Sequence, residues 1–209
     1  MIIHEVEQGT DEWHALRAGL PTASEADKLV TSQGAISKQM DGVALQCAVD
    51  LYAGEPLDKW AGNEWTDRGH EMEDRARAFY ENTFSDRIVT QVGFITTDDN
   101  SAGASPDGLV DEGGMLEIKC LKATSHAKVL IAYERNGKLP ATYICQPQMQ
   151  MLVAERAWCD MVFWHPELPA LIVRHLPDDS IITPLRVQIA KCITERDTIV
   201  RTLRAFANE

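Results

Sequence analysis

Ser105-Pro106-Asp107-Gly108-Leu109, followed after six residues by Leu116-Glu117-Ile118-Lys119, is the stretch from which the rest of the sequence is best read. Asp111-Glu112-Gly113-Gly114 between them is a hairpin-type turn, which makes Ala102–Val110 and Met115–Leu121 a pair of strands. Side chains alternate along a strand, so Glu117 and Lys119 share one face and Ile118 takes the other. Asp107 and Glu117, on adjacent strands, then converge with Lys119 beside them. An isolated E-x-K is usually a solvated surface hairpin. Here the apolar flanks Leu116, Ile118, Cys120 and Leu121 argue that the charges have a purpose. Clustered carboxylates repel unless a divalent cation lies between them, and oxygen donors suit Mg²⁺.

Upstream the pattern is helical. Thr10–Ala18 has Thr10 as N-cap and Gly19 at the left-handed C′ position, and Thr22-Ala23-Ser24-Glu25 has capping-box spacing and opens a helix through Val30. Lys38–Ala53 and Glu64–Thr83 carry i, i+4 apolar rows. Arg87–Thr96 alternates as a strand ahead of the hairpin. Downstream come helices over Ser125–Arg135 and Ala141–Ala154, strands over Trp158–Trp164 and Leu171–His175, and a helix over Pro184–Ala207. This order predicts one α/β domain over 1–209 with an N-terminal helical elaboration.

Composition sets the bounds. The chain has 209 residues, 44% hydrophobic and 25% charged, which excludes a disordered or low-complexity chain. The net charge of −12 repels nucleic acid and anionic membranes on average, so any contact with DNA needs a local basic patch. Five widely spaced cysteines without a C-x-x-C pair read as reduced thiols, and no signal peptide or membrane-spanning run is visible; the expectation is a cytoplasmic protein without membrane partners. There is no G-x-x-x-x-G-K-[ST] and no histidine metal pattern.

The P-D…E-x-K arrangement resembles the PD-(D/E)XK nuclease superfamily, and more specifically the phage lambda exonuclease family (YqaJ-like viral recombinases, alkaline exonucleases). Further segments resemble that family in order: Glu7-Gln8-Gly9-Thr10-Asp11-Glu12-Trp13-His14, Leu16-Arg17-Ala18-Gly19, Thr22-Ala23-Ser24-Glu25, Gly69-His70-Glu71-Met72-Glu73 and Gln146-Pro147-Gln148. The resemblance implies a restriction-endonuclease-like core, a central mixed sheet flanked by helices. It implies a 5′-to-3′ exodeoxyribonuclease that digests one strand of linear double-stranded DNA to mononucleotides, leaving 3′ overhangs for recombination. Other activities on the same fold are a structure- or sequence-specific endonuclease and an inactive DNA-binding module.

By the same resemblance, Glu73, Asp107, Glu117 and the Ile118 carbonyl would hold two Mg²⁺ ions, with Mn²⁺ as a substitute. Lys119 would assist the attacking water. Gln146 and Gln150 share a helix face, but the family selects Gln148 to orient that water. Arg17 and Ser24, with Thr22, would hold the terminal 5′-phosphate, a role that suits a guanidinium and a helix start. The family's arginine after the E-x-K strand is replaced by His126, Lys122 or Lys128. Trp60 and Trp65, flanked by Lys59 and Arg68, are candidates for stacking on bases. A homotrimeric ring around DNA and a single-strand annealing protein are the implied partners.

Overall fold

The computed structural model describes residues 1–57 and 64–207, with the backbone alone over 64–71. In chain order the elements are β1 (Ile2–His4), α1 (Asp11–Arg17), α2 (Ala26–Leu29), α3 (Met40–Ala53), α4 (Glu64–Thr83), β2 (Val89–Thr90), β3 (Phe94–Thr96), β4 (Gly103–Ala104), β5 (Gly108–Val110), β6 (Gly114–Lys119), α5 (Ala123–Asn136), α6 (Cys145–Ala154), β7 (Trp158–His165), β8 (Leu168–His175) and α7 (Asp179–Ala207). The strands form a five-stranded mixed sheet, β2-β5-β6-β7-β8, and a small antiparallel sheet, β1-β3-β4. Only β6 and β7 of the larger sheet run parallel, and α5 and α6 supply the crossover between them.

Two segments that read as continuous strands, Arg87–Thr96 and Ala102–Val110, are each divided between the two sheets. The first gives β2 and β3, the second β4 and β5. Pro106 explains the second break, because it has no N–H to give to a ladder. At the first break the Val6 carbonyl lies so close to Gly93 that no side chain would fit there. One side chain spans both interruptions: Gln8 Nε2 donates to the Val92 carbonyl at 3.0 Å and to the Pro106 carbonyl at 3.2 Å. The helix expected from the capping box is instead a 3₁₀ turn over Ala23–Glu25 followed by α2, and Thr22 makes no side-chain cap. Glu25 pairs with Lys28 rather than returning to the turn.

Alternation along β6 divides the core. Met115 packs with α2, α3, α6 and α7, whereas Leu116 and Ile118 pack with Ala76 and Tyr80 of α4 and with Val162. α6 is buried nearly all round, enclosed between the larger sheet and α7. It begins at Cys145, so Pro147 falls in its first turn, where a missing N–H costs no helical bond. Among the described residues no helix is long and apolar enough to cross a membrane.

A buried charge network ties α4 to β7 and β8. Asp160, 2% exposed, accepts from Arg174 at 2.7 and 2.8 Å, from Arg87 at 2.8 Å and from the Tyr80 hydroxyl at 2.7 Å. Burial favours the neutral acid, but the bonds from Arg174 and Tyr80 outweigh it and hold the Asp160 carboxyl below the usual aspartate range. Arg174 is 40% exposed and keeps some water, so Asp160→Ala is expected at the low end for a broken buried pair, a loss of about 3 kcal/mol in urea unfolding at pH 7. A carboxyl with a depressed folded-state pKa stabilises above its unfolded pKa and loses that contribution as pH falls through the folded value. The gap between wild type and variant should therefore narrow on acidification below the usual aspartate range. Coincident urea curves at pH 7 would contradict this account of Asp160.

Candidate active site

The divided strands open a cavity of about 960 Å³ between the two sheets, lined by Gln8, Glu73, Arg77, Val92 and Asp107 among others. Gly108 pairs with Leu116, and continuing that antiparallel register by one step sets Asp107 opposite Glu117. The Asp107 N–H donates to the Leu116 carbonyl at 3.0 Å, and Asp107 Oδ2 accepts from the Ile118 N–H at 2.5 Å. Arg77, one helical turn beyond Glu73 on α4, donates Nε and Nη2 to the Asp107 carbonyl, both at 3.3 Å. The loop after Pro106 is thereby fixed from both sides.

Glu117 is 4% exposed and both its oxygens accept hydrogen bonds. Its Oε1 accepts from Lys119 Nζ and from Gln146 Nε2, each at 2.6 Å, and its Oε2 from Gln150 Nε2 at 2.6 Å. Lys119 Nζ also donates to Gln146 Oε1 at 2.9 Å. Burial alone would lower the Lys119 ammonium, but the charges of Glu117 and Asp107 outweigh it and hold it above the ordinary lysine range. Lys119 is thus a cationic donor at neutral pH rather than a base.

Asp107 behaves oppositely. Burial, and then the charges of Glu117 and Glu73, push its carboxyl well above the usual range, against the Ile118 N–H and Lys119. Among the described residues no three acid, histidine or cysteine side chains close on one point as a finished metal cage. Asp107 Oδ2 and both Glu117 oxygens are engaged by the donors just named. The donor set nonetheless fits a divalent ion: Asp107 and Glu117 share a single ammonium, Glu73 lines the same cavity as Asp107, and their negative charge adds to burial in raising Asp107. Hard oxygen donors select Mg²⁺ or Mn²⁺ over softer metals.

The expectation for Gln148 is corrected. Its amide donates to the Leu176 carbonyl at 2.9 Å and accepts from the Asp178 N–H at 2.8 Å, fastening the start of α7. Two residues on a helix turn about 200°, so Gln148 faces away from Gln146 and Gln150, the pair that reaches Glu117. His126 is also corrected. It is completely buried, with Nε2 2.8 Å from the Pro169 carbonyl, because it lies with Val129 on the inward face of α5. Lys122 and Lys128 remain on the surface. Trp60 and Lys59 lie outside the described residues, as do the side chains of Trp65 and Arg68.

Arg17, Thr22 and Ser24 do come together, and Ser105, which the sequence reading left aside, joins them. Thr22 bridges to Gly103 beside β4, which lays the 3₁₀ turn alongside the segment leading to Asp107. Arg17 Nη1 donates to Ser105 Oγ at 3.4 Å and Nη2 to Thr22 Oγ1 at 3.3 Å; Thr22 Oγ1 and Ser24 Oγ are 3.0 Å apart. Burial lowers the Arg17 guanidinium to about 10, so it stays charged at neutral pH. Its hydrogen bonds to Ser105 and Thr22 go to neutral hydroxyls, and the Glu25 carboxylate acts on it only through space, opposing the effect of burial, so the guanidinium can still take an anion. A second cavity, of about 300 Å³, has Ser24 of this cradle in its wall together with Asp27, Lys119, Tyr143 and Gln146.

The family model for the YqaJ-like viral recombinase domain matches residues 12–157, which contain the whole constellation from Trp13 to Gln150. The chain belongs to this family. An alkaline exonuclease from Laribacter hongkongensis, solved alone and in complex with dAMP, is 31% identical, with a TM-score of 0.79 over 95% of this chain and 98% of that one. A phage-related exonuclease from Haemophilus somnus 129PT, 16% identical with a TM-score of 0.66 over 88% of this chain and 96% of that one, shares the fold. None of the curated proteins matches the sequence.

Two outcomes follow from this geometry. In EDTA, Asp107→Asn keeps an acceptor for the Ile118 N–H and removes a repelled charge, and should raise unfolding stability at pH 8 by about 1 kcal/mol. A raised carboxyl pKa destabilises increasingly as pH climbs from the unfolded to the folded value, so this gain should shrink on acidification. A variant less stable than wild type at pH 8 would contradict the charge argument. Gln148→Ala should cost about 1 kcal/mol by removing two part-buried hydrogen bonds to the backbone of Leu176 and Asp178, as read by thermal unfolding.

Proposed function

We propose that the protein is a divalent-metal-dependent 5′-to-3′ exodeoxyribonuclease that acts on linear duplex DNA. Membership of the family supports the nuclease role, and the 31% identical alkaline exonuclease supports exonucleolytic action. The observation that carries the polarity is the adjacency of the two halves of the site. The cradle of Arg17, Thr22, Ser24 and Ser105 is joined through Ser105-Pro106-Asp107 to the carboxylates. A terminal 5′-phosphate fits the cradle, since a planar guanidinium and converging hydroxyls match its oxygens. The relative solved with dAMP, a deoxynucleoside 5′-monophosphate, is consistent with a product of this kind.

Asp107, Glu117, Glu73 and the Ile118 carbonyl are the proposed holders of two Mg²⁺ ions, with Mn²⁺ able to substitute. When bound, such ions lower the pKa of a water and neutralise charge on the departing oxygen. The residues supply the rest. Lys119, held cationic by Glu117, donates to the incoming water or to a non-bridging phosphate oxygen. Gln146 and Gln150 lock both Glu117 oxygens and so fix its rotamer. Arg17 and the hydroxyls hold the strand by its end, so the first linkage lies at the carboxylates. A closed circle offers no such end.

The net charge of −12 argues against a lone chain gripping DNA. A homotrimeric ring, with its basic groups gathered on the inside, reconciles that charge with a polyanionic substrate. The same reading places the chain as one nuclease domain in the cytoplasm, handing 3′ overhangs to a single-strand annealing protein. Sedimentation equilibrium should give a mass near three times 23.3 kDa.

The deciding assay offers Mg²⁺ with linear duplex carrying 5′-phosphate, linear duplex carrying 5′-hydroxyl, or covalently closed plasmid. Mononucleotides should appear fastest from the phosphorylated linear duplex, and cleavage of the plasmid would overturn the exonuclease reading. Lys119→Ala should lower the rate at least about 100-fold and Gln150→Ala about 10- to 100-fold. Gln148→Ala, at a temperature where it is folded, should leave the rate within about twofold of wild type, because its amide faces α7.

A further inference from the structure

Trp13 lies beneath the cradle and makes three contacts that bear on its chemistry. Its indole Nε1–H donates to Ser105 Oγ at 3.0 Å and to the Gly93 carbonyl at 3.2 Å. Its ring carries the Arg17 guanidinium 4.2 Å above the centroid, with Phe94 on another side at 5.8 Å. The indole itself is held in place, because its backbone N–H bonds to the Thr10 cap at 3.3 Å and Thr10 in turn donates to the Glu7 carbonyl at 2.7 Å.

Counting hydrogens shows what this does to Ser105. A serine hydroxyl has one proton to donate and two lone pairs to accept with. Both lone pairs of Ser105 Oγ are taken, one by Trp13 Nε1–H and one by Arg17 Nη1–H. The proton is left as the only group Ser105 can present to a ligand, and a proton donor selects an anion. Thr22 Oγ1 likewise accepts from Arg17 Nη2, which biases the Thr22–Ser24 pair toward donating outward. An indole suits this position: it donates without accepting, and its face stabilises a cation. Histidine or tyrosine in its place could accept from Ser105 and reverse the relay.

We propose that Trp13 is the positioning residue that makes the cradle selective for a phosphorylated 5′ end, by turning the Ser105 proton outward and seating Arg17. This rests on the function proposed above. It goes beyond that function in assigning the selectivity to a side chain that itself makes no contact with the phosphate.

The test compares kcat/KM on otherwise identical linear duplexes ending in 5′-phosphate or 5′-hydroxyl, with Mg²⁺, for wild type, Trp13→Phe, Ser105→Ala and Arg17→Ala. Phenylalanine keeps a ring under Arg17 and removes only the indole donor. Trp13→Phe should reduce the ratio of the two kcat/KM values about tenfold, through KM on the phosphorylated end, and Ser105→Ala should match it. Combining the two should add little, since both act on one hydrogen bond. Equal losses on both ends would assign Trp13 a purely structural role and overturn the inference. If Arg17→Ala collapses the ratio while Trp13→Phe keeps it, the inference fails and the phosphate cradle stands. If wild type does not distinguish the ends, both fail together.

Discussion

The active-site architecture depends on an interruption of hydrogen bonding at Pro106. A strand that ran unbroken from Ala102 to Val110 would bury Asp107 within a ladder and leave no space beside it. Because proline gives no donor there, the chain passes from the small sheet to the large one, and a cavity opens at the crossing. The carbonyls freed at the crossing do not go unpaired: Gln8 takes those of Val92 and Pro106, and Arg77 takes that of Asp107. The gap is bridged by one amide from the N-terminal segment and one guanidinium from α4.

The protein treats its buried acids in two ways. Asp160 is surrounded by Arg174, Arg87 and Tyr80 and holds its negative charge more firmly than an exposed aspartate would. Asp107 and Glu117 have one ammonium between them and a third carboxylate, Glu73, near enough to raise Asp107 further. The first arrangement joins α4 to the sheet. The second stores repulsion that a divalent ion would relieve, so the balance of charge around each carboxylate separates the structural one from those proposed to act in chemistry.

Much of this was legible in the sequence. The hairpin from Asp107 to Lys119, the helix carrying Glu73 and the order of the later elements depend on local turn chemistry and periodicity, and they fall where the pattern puts them. Sheet membership did not, because alternation looks the same whether a strand keeps its partner or changes it; only the proline and the crowded Gly93 gave a hint. Gln148 was misplaced because the choice among three glutamines depends on which face of α6 meets β6, a tertiary fact. His126 was misread because a histidine spaced three from Val129 resembles a surface residue until the helix is docked. Asp160 had a signal that went unused: a lone acid within Trp158-Cys159-Asp160-Met161-Val162 has no business in an apolar strand unless cations await it.

The short covalent path from Ser105 to Asp107 has a consequence for evolution of the enzyme. Two peptide links separate the residues, so their α-carbons can never be more than about 7 Å apart. On the proposed function, a strand moored by its end at the serine would meet the aspartate at a reach that no domain movement can lengthen. The stride of such an enzyme along its track would then be written into a tripeptide, and a descendant that took longer steps would first have to gain residues there.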